Sequence, residues 1–133
     1  MVWLEDVKVL VVDDDKTSVD LAKLYLDRMW VDKSNITMSD DLLSCVEMAK
    51  KGLFDLILMD IKIWGAPRAG VAATELIRAK MNGDSPRIIA YSADVFATKE
   101  EGIREKFDWI IVKPVNLHTF RETILGVLEK KAK

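Results

Sequence analysis

The sequence has little of several things. Cys45 is its single cysteine among 133 residues. That excludes an internal disulfide and a multi-cysteine metal site, and fits a reducing cytosol. The one histidine, His118, is far in sequence from any acidic cluster and reads as a surface residue. No apolar run approaches the ~20 residues of a membrane-spanning helix. Charge of neither sign dominates. A net charge of −2 supplies no basic face for nucleic acid or an acidic membrane. The opening segment MVWLEDVKVLVV contains Glu5, Asp6 and Lys8, so it does not read as a signal peptide. With no repeat, low-complexity tract or linker-like stretch, residues 1–133 are expected to form one domain around one core. The remaining composition, 50% hydrophobic and 32% charged, is that of an ordinary globular protein.

Four short apolar runs stand out: VKVLVV (7–12), LILM (56–59), RIIAYS (87–92) and WIIV (109–112). They are rich in Val, Ile and Leu. The central ones do not alternate with polar residues, as in strands buried on both faces of a parallel sheet. NITMS (35–39) is a weaker fifth strand. Helix-period segments fill the gaps. Val19, Ala22, Leu26 and Met29 share one face. Leu42, Val46 and Ala49 share another, with Ser39 or Asp40 as N-cap and Gly52 as the stop. Ala72, Leu76 and Ala79 mark a third helix, ended by Asn82-Gly83. Thr98 to Lys106 is mostly polar, with Ile103 its main apolar contact. Leu117, Phe120, Ile124, Val127 and Leu128 define the last helix, with Asn116 as N-cap. The pattern is (βα) five times. It implies an α/β, flavodoxin-like three-layer sandwich with a parallel sheet in the order 2-1-3-4-5.

Sites in such sheets form beyond the carboxyl ends of the strands, where the order reverses. Here that point lies between strands 1 and 3. Strand 1 ends in Asp13, Asp14 and Asp15; strand 3 ends in Asp60. Strand 4 ends in Tyr91-Ser92-Ala93, and strand 5 in Lys113-Pro114. Two carboxylates about 4 Å apart repel by about 4 kcal/mol at an effective dielectric near 20. Three in one cleft need protonation or a cation. Mg²⁺ suits such a site, since it takes one or two carboxylates and bridges to phosphate oxygens. A carboxylate is also a nucleophile toward phosphorus. Asp60, alone on its strand, is the nucleophile candidate. Asp13 and Asp14 are the metal candidates, and Asp15 reads as a helix cap favouring the helix dipole. Lys113 would neutralise a phosphoryl oxygen, and the Ser92 hydroxyl would donate to another.

VLVVDDD, LILMD, YSA and VKP, in this order and at these intervals, resemble the receiver domain of two-component response regulators. The resemblance spans essentially the whole chain. The MDI context and KPVNL resemble most the receivers attached to hybrid sensor kinases. The resemblance implies that Asp60 is the phosphoacceptor and that Asp13 and Asp14 hold Mg²⁺, helped by the backbone carbonyl of Lys62. It implies that Ser92 is the switch hydroxyl and Lys113 the conserved lysine, with a cis bond to Pro114. It further implies a histidine kinase or histidine phosphotransfer protein as donor. The output would be a protein partner bound through the fourth helix, last strand and last helix. The implied setting is cytoplasmic, with no direct nucleic-acid or membrane contact. The domain would be a signalling module rather than an enzyme, limited to self-phosphorylation from donors and slow autodephosphorylation.

Two departures from the pattern bear on function. Ile110 stands where the family has an aromatic switch residue, with Trp109 one step earlier on the opposite strand face. The loop WGAPRAG (64–70) has Trp64 where the family has proline, and Gly70 follows late, so the loop reads as remodelled. Arg68 is expected to be solvated there rather than to reach the phosphoryl group. Lys62 and Asp94 are expected to form a lid-like ion pair that slows phosphoryl loss. The departures motivate an alternative, a pseudo-receiver that binds partners with impaired switching. A Mg²⁺-dependent phosphohydrolase is a third reading, weakened because Lys62 stands where a second acid would serve. Flavin binding is disfavoured, since the loop after strand 1 carries acids instead of phosphate-cradling Ser, Thr and Gly.

Overall fold

The structure is a computed structural model and describes residues 3–63 and 65–132. Five strands form one parallel sheet: β1 (Val9–Val12), β2 (Ile36–Ser39), β3 (Leu56–Met59), β4 (Arg87–Ser92) and β5 (Trp109–Val112). Their order is β2-β1-β3-β4-β5, as the sequence pattern implies. The register pairs Val12 with both Ser39 and Met59, and Ser92 with Val112. The strand ends therefore arrive at one edge together. The helices are α1 (Lys16–Arg28), α2 (Leu42–Lys50), α3 (Ala69–Met81), α4 (Val95–Lys99), α5 (Glu101–Arg104) and α6 (Leu117–Ala132).

Strand alternation divides the core in two. Val9, Val11, Leu58, Ile89, Tyr91 and Ile111 face one side, against Val19, Ala22 and Leu26 of α1 and Phe120, Ile124 and Val127 of α6. Leu10, Val12, Ile57, Met59, Ile88 and Ala90 face the other, against Cys45, Val46 and Ala49 of α2, Ala73 and Ile77 of α3, and Ile103. β1 and β3 are buried along their whole lengths. That is why their sequence shows no polar alternation. Cys45 is fully buried; its thiol donates to the Leu42 carbonyl at 3.3 Å, and burial pushes its pKa up to about 11.

Two expectations need correction. The N-cap of α2 is Asp41, whose side chain accepts from Ser44 N–H at 2.9 Å. Ser39 is instead the last residue of β2, and its hydroxyl donates to the Asp41 carbonyl. The expected helix from Thr98 to Lys106 is two short helices. Glu100 is extended, with φ −74° and ψ 120°, and separates α4 from α5. Thr98 and Ile103 are both buried, yet five residues turn a straight helix by about 140°. One uninterrupted helix cannot point both at the sheet; the break at Glu100 lets it. Other boundaries stand as read. Gly52, φ +70°, follows α2, and Asn82, φ +47°, ends α3 in the left-handed conformation that Gly and Asn tolerate. Asn116 accepts from Thr119 N–H at 2.8 Å at the start of α6.

Candidate functional site

The hydrogen-bond ladder of the sheet runs one residue past each strand. Asp13 N–H donates to Ser39 O at 3.1 Å, Asp60 N–H to Val12 O at 3.0 Å and Lys113 N–H to Ser92 O at 2.9 Å. The backbones of three candidate residues are thereby fixed by the sheet. Asp13 and Asp60 are buried, and Asp14 is exposed at the mouth. One carboxylate oxygen from each of the three lies within 4.8 Å of the others. Asp15 turns away. It caps α1, accepting from Thr17 N–H at 3.2 Å, while its own N–H donates to Asp13 Oδ1 at 2.9 Å.

Lys113 enters from β5 with a side chain only 13% exposed. Its ammonium donates to Asp13 Oδ2 at 2.9 Å and to Ser18 Oγ at 2.8 Å, and stands 3.6 Å from Asp60 Oδ2. It also lies 4.9 Å from the centre of the Tyr91 ring. The following bond to Pro114 is cis. Lys113 thus reaches two of the three clustered acids. Burial pushes the Asp60 carboxyl up to about 6; Lys113 opposes that shift and Asp13 adds to it. A buried carboxyl held above its ordinary range by desolvation gains from a cation placed beside it. All the donor atoms are oxygens, which suits a hard divalent cation such as Mg²⁺.

Ser92 is buried at the end of β4, and its hydroxyl accepts from Asp94 N–H at 3.1 Å. Asp94 in turn caps α4, accepting from Ala97 N–H at 3.0 Å. The expected Lys62–Asp94 ion pair is not formed among the described residues. Asp94 is committed to its cap, and Lys62 extends into solvent from the bend after β3. Arg68 pairs with Glu100 at 2.8 Å, tying the loop after β3 to the break between α4 and α5. It does not join the acidic cluster.

The loop after β3 is anchored by Ile61 and Ile63, both fully buried. Ala66 N–H donates to Ile63 O at 3.0 Å, and Gly65 takes φ +74°, a conformation that glycine adopts without strain. Trp64 lies outside the described residues. Gly70, the second residue of α3, is pressed against the end of β3. Its N–H donates to Ile61 O at 2.9 Å, and a Cβ on it would overlap the Asp60 carbonyl oxygen. The glycine is late in sequence because of the longer loop, but it meets the Asp60 backbone.

Ile110 is half-buried against the α2–α3 core, and Trp109 is on the opposite face, 54% exposed, with the Lys130 ammonium 5.4 Å from its ring centre. Position 110 therefore carries no aromatic. The aromatic beside the site is Tyr91, one residue before Ser92. It is buried edge-on against Phe120 at 5.9 Å, and its hydroxyl finds no partner among the described residues. The sequence pattern gives no role to Tyr91 or Ser18. Both contact Lys113 across more than twenty residues of chain, a proximity only the fold creates. His118 is exposed on α6.

Known proteins resemble this chain in sequence and in fold. The response regulator receiver domain family matches residues 9–125. The autoinducer 2 sensor kinase/phosphatase LuxQ of Vibrio vulnificus is 29% identical over 122 residues, covering 91% of this chain and 14% of that protein. The aerobic respiration control sensor protein ArcB of Escherichia coli is 26% identical over 114 residues, covering 86% and 14%. The chain thus spans about one seventh of the curated relatives it matches. Among solved structures, the receiver domain of a sensor histidine kinase from Pseudomonas aeruginosa PAO1, with a magnesium ion coordinated in its active site cleft, superposes with TM-score 0.78. It is 23% identical and covers 92% of this chain and 97% of that one. The chemotaxis response regulator CheY4 of Vibrio cholerae gives TM-score 0.73 at 19% identity, covering 91% and 98%. By sequence and by fold, this chain belongs to the response regulator receiver domain family.

Proposed function

We propose that this chain is a phosphoacceptor in a two-component phosphorelay, receiving a phosphoryl group on Asp60 from the phosphohistidine of a kinase or phosphotransfer protein. One observation carries the reading: the oxygens of Asp13, Asp14 and Asp60 converge within 4.8 Å while the Lys113 ammonium stands 3.6 Å from Asp60. Asp13, Asp14 and Asp60, with the Lys62 carbonyl, would hold Mg²⁺. When bound, the ion supplies the positive charge that keeps Asp60 ionised and offsets charge on the phosphoryl oxygens. Asp60 attacks phosphorus, the phosphorus–nitrogen bond breaks, and the imidazole leaves with its electron pair and takes up a proton. Lys113 neutralises one phosphoryl oxygen. Ser92 releases Asp94 N–H and turns its hydroxyl to another. Because Asp94 caps α4, that movement changes the start of α4 and so the face formed by α4, β5 and α6. A partner protein that distinguishes the two arrangements reads the state of Asp60.

The domain takes up residues 1–133 and acts in the cytoplasm as a switch rather than as a turnover enzyme. No helix of the described residues is long and apolar enough to cross a membrane. The pseudo-receiver alternative, motivated by Ile110 and the 64–70 loop, gains no support from the site, where Asp13, Asp14, Asp60, Ser92 and Lys113 are together. The test is exposure to a small phosphodonor or beryllofluoride with Mg²⁺, followed by intact mass and tryptophan fluorescence. The expected result is a stoichiometric adduct of about 80 Da, an aspartyl phosphate, absent in Asp60→Asn. Magnesium binding without an adduct would identify a pseudo-receiver. Rapid turnover of phosphate esters would identify a hydrolase.

A further inference from the structure

Lys113 has three ammonium protons and a crowded set of acceptors. Asp13 Oδ2 takes one at 2.9 Å, Ser18 Oγ takes another at 2.8 Å, and Asp60 Oδ2 is more distant at 3.6 Å. Asp13 is claimed twice, because the same carboxylate belongs to the oxygen cluster it forms with Asp14 and Asp60. A divalent cation drawn to that cluster weakens Asp13 as an acceptor for the lysine. Lysine has four rotatable side-chain bonds, and without a second anchor its ammonium loses its position over the acids. Ser18 is that second anchor. It is the third residue of α1, and Asp15 fixes the start of the helix by capping it. A hydroxyl there accepts from the ammonium without adding charge, whereas a fourth carboxylate would repel the other three and compete for the cation.

We propose that Ser18 is a positioning residue for phosphoryl transfer: its hydroxyl tethers the Lys113 ammonium beside Asp60 while Asp13 is engaged by the metal. The inference rests on the reading of Asp60 as phosphoacceptor. Ser18 touches neither donor nor phosphoryl group and acts through Lys113. Its loss therefore slows the chemical step and leaves donor and metal affinity alone.

The experiment uses Ser18→Ala and Ser18→Thr in the wild-type and Lys113→Ala backgrounds, with acetyl phosphate as donor and MgCl₂ as metal. Ser18→Ala is expected to lower the maximal phosphorylation rate constant about 3- to 10-fold, with donor KM and Mg²⁺ Kd within about twofold of wild type. Ser18→Thr keeps the hydroxyl and is expected to restore most of the rate. In Lys113→Ala, the serine substitution is expected to have no further effect. A second readout needs neither metal nor donor: the Lys113 ammonium resonance in metal-free protein, whose protons exchange faster with water in Ser18→Ala and not in Ser18→Thr. Unchanged rate and unchanged exchange in Ser18→Ala would overturn the proposal. So would an equal rate loss in the Lys113→Ala background, which would assign Ser18 to the helix start or the metal. If the wild-type chain accepts no phosphoryl group, the functional reading falls, and the exchange measurement still decides the tether.

Discussion

Each end of the sheet carries an ionic cluster, and the two are built on opposite principles. At the amino ends of the strands one acid is shared by two arginines. Asp108 pairs with Arg78 at 3.2 Å and Arg87 at 3.1 Å, and also accepts from Ile88 N–H at 2.8 Å. Arg78 spends its remaining donors on Lys106 O and Ser85 Oγ. That cluster fastens α3 to the starts of β4 and β5. At the carboxyl ends acids predominate: Asp13, Asp14 and Asp60 converge, and Lys113 reaches two of them. The first cluster gathers cations around one acid; the second gathers acids where a cation would fit. A site meant to bind a cation keeps its cost in the unliganded state.

Several substitutions break or sharpen this contrast. The largest effect is expected at the backbone of the active end. Gly70→Ala drives a Cβ into the Asp60 carbonyl and should destabilise by about 3 kcal/mol or more, seen in urea unfolding. Next comes the arginine-paired cluster. Asp108→Ala leaves two arginines and one N–H without their acceptor and should cost about 2–4 kcal/mol by the same measurement.

The acidic cluster should respond with the opposite sign. Asp60 is pushed up to about 6, above the ordinary carboxylate value near 4. Between those values the folded protein holds a proton that the unfolded chain has released. The resulting stability is full below about pH 4 and is lost as pH rises through about 6, a change of about 2 kcal/mol in metal-free protein. Asp60→Asn should abolish that slope and be more stable than wild type at pH 7.5 by about 1–2 kcal/mol, measured by unfolding at pH 4.5 and 7.5 with a chelator. Equal slopes in the two proteins would remove the contrast. The smallest effect belongs to Arg68→Ala. Its pair with Glu100 is largely exposed, so a change within about 0.5 kcal/mol is expected.

What the sequence could reveal follows the same division. β3, β4 and β5 lie where the apolar runs end, because strands buried on both faces leave a plain hydrophobic signature. Asp13, Asp60 and Lys113 were legible because strand ends in a parallel sheet have one destination. Ser18 and Tyr91 were not, since nothing local distinguishes a serine in a first helical turn or a tyrosine in a strand. The break at Glu100 was hidden too, because it comes from two buried residues that one helix cannot serve at once. Lys62 and Asp94 misled because proximity was inferred from loop positions, whereas a nearby N–H had already engaged the aspartate.

The ladder that continues past the strands has a consequence for how the domain comes apart. The amides of Asp13, Asp60 and Lys113 are bonded into the central sheet, so they open to solvent exchange with the core. α4 and α5 are single-turn helices, each holding little buried surface, chiefly Thr98 and Ile103, beside one cap and one exposed ion pair. They can open by themselves at far smaller free energy. Asp13, Asp60 and Lys113 are therefore expected to stay together through openings that release α4 and α5, an order that amide exchange would show.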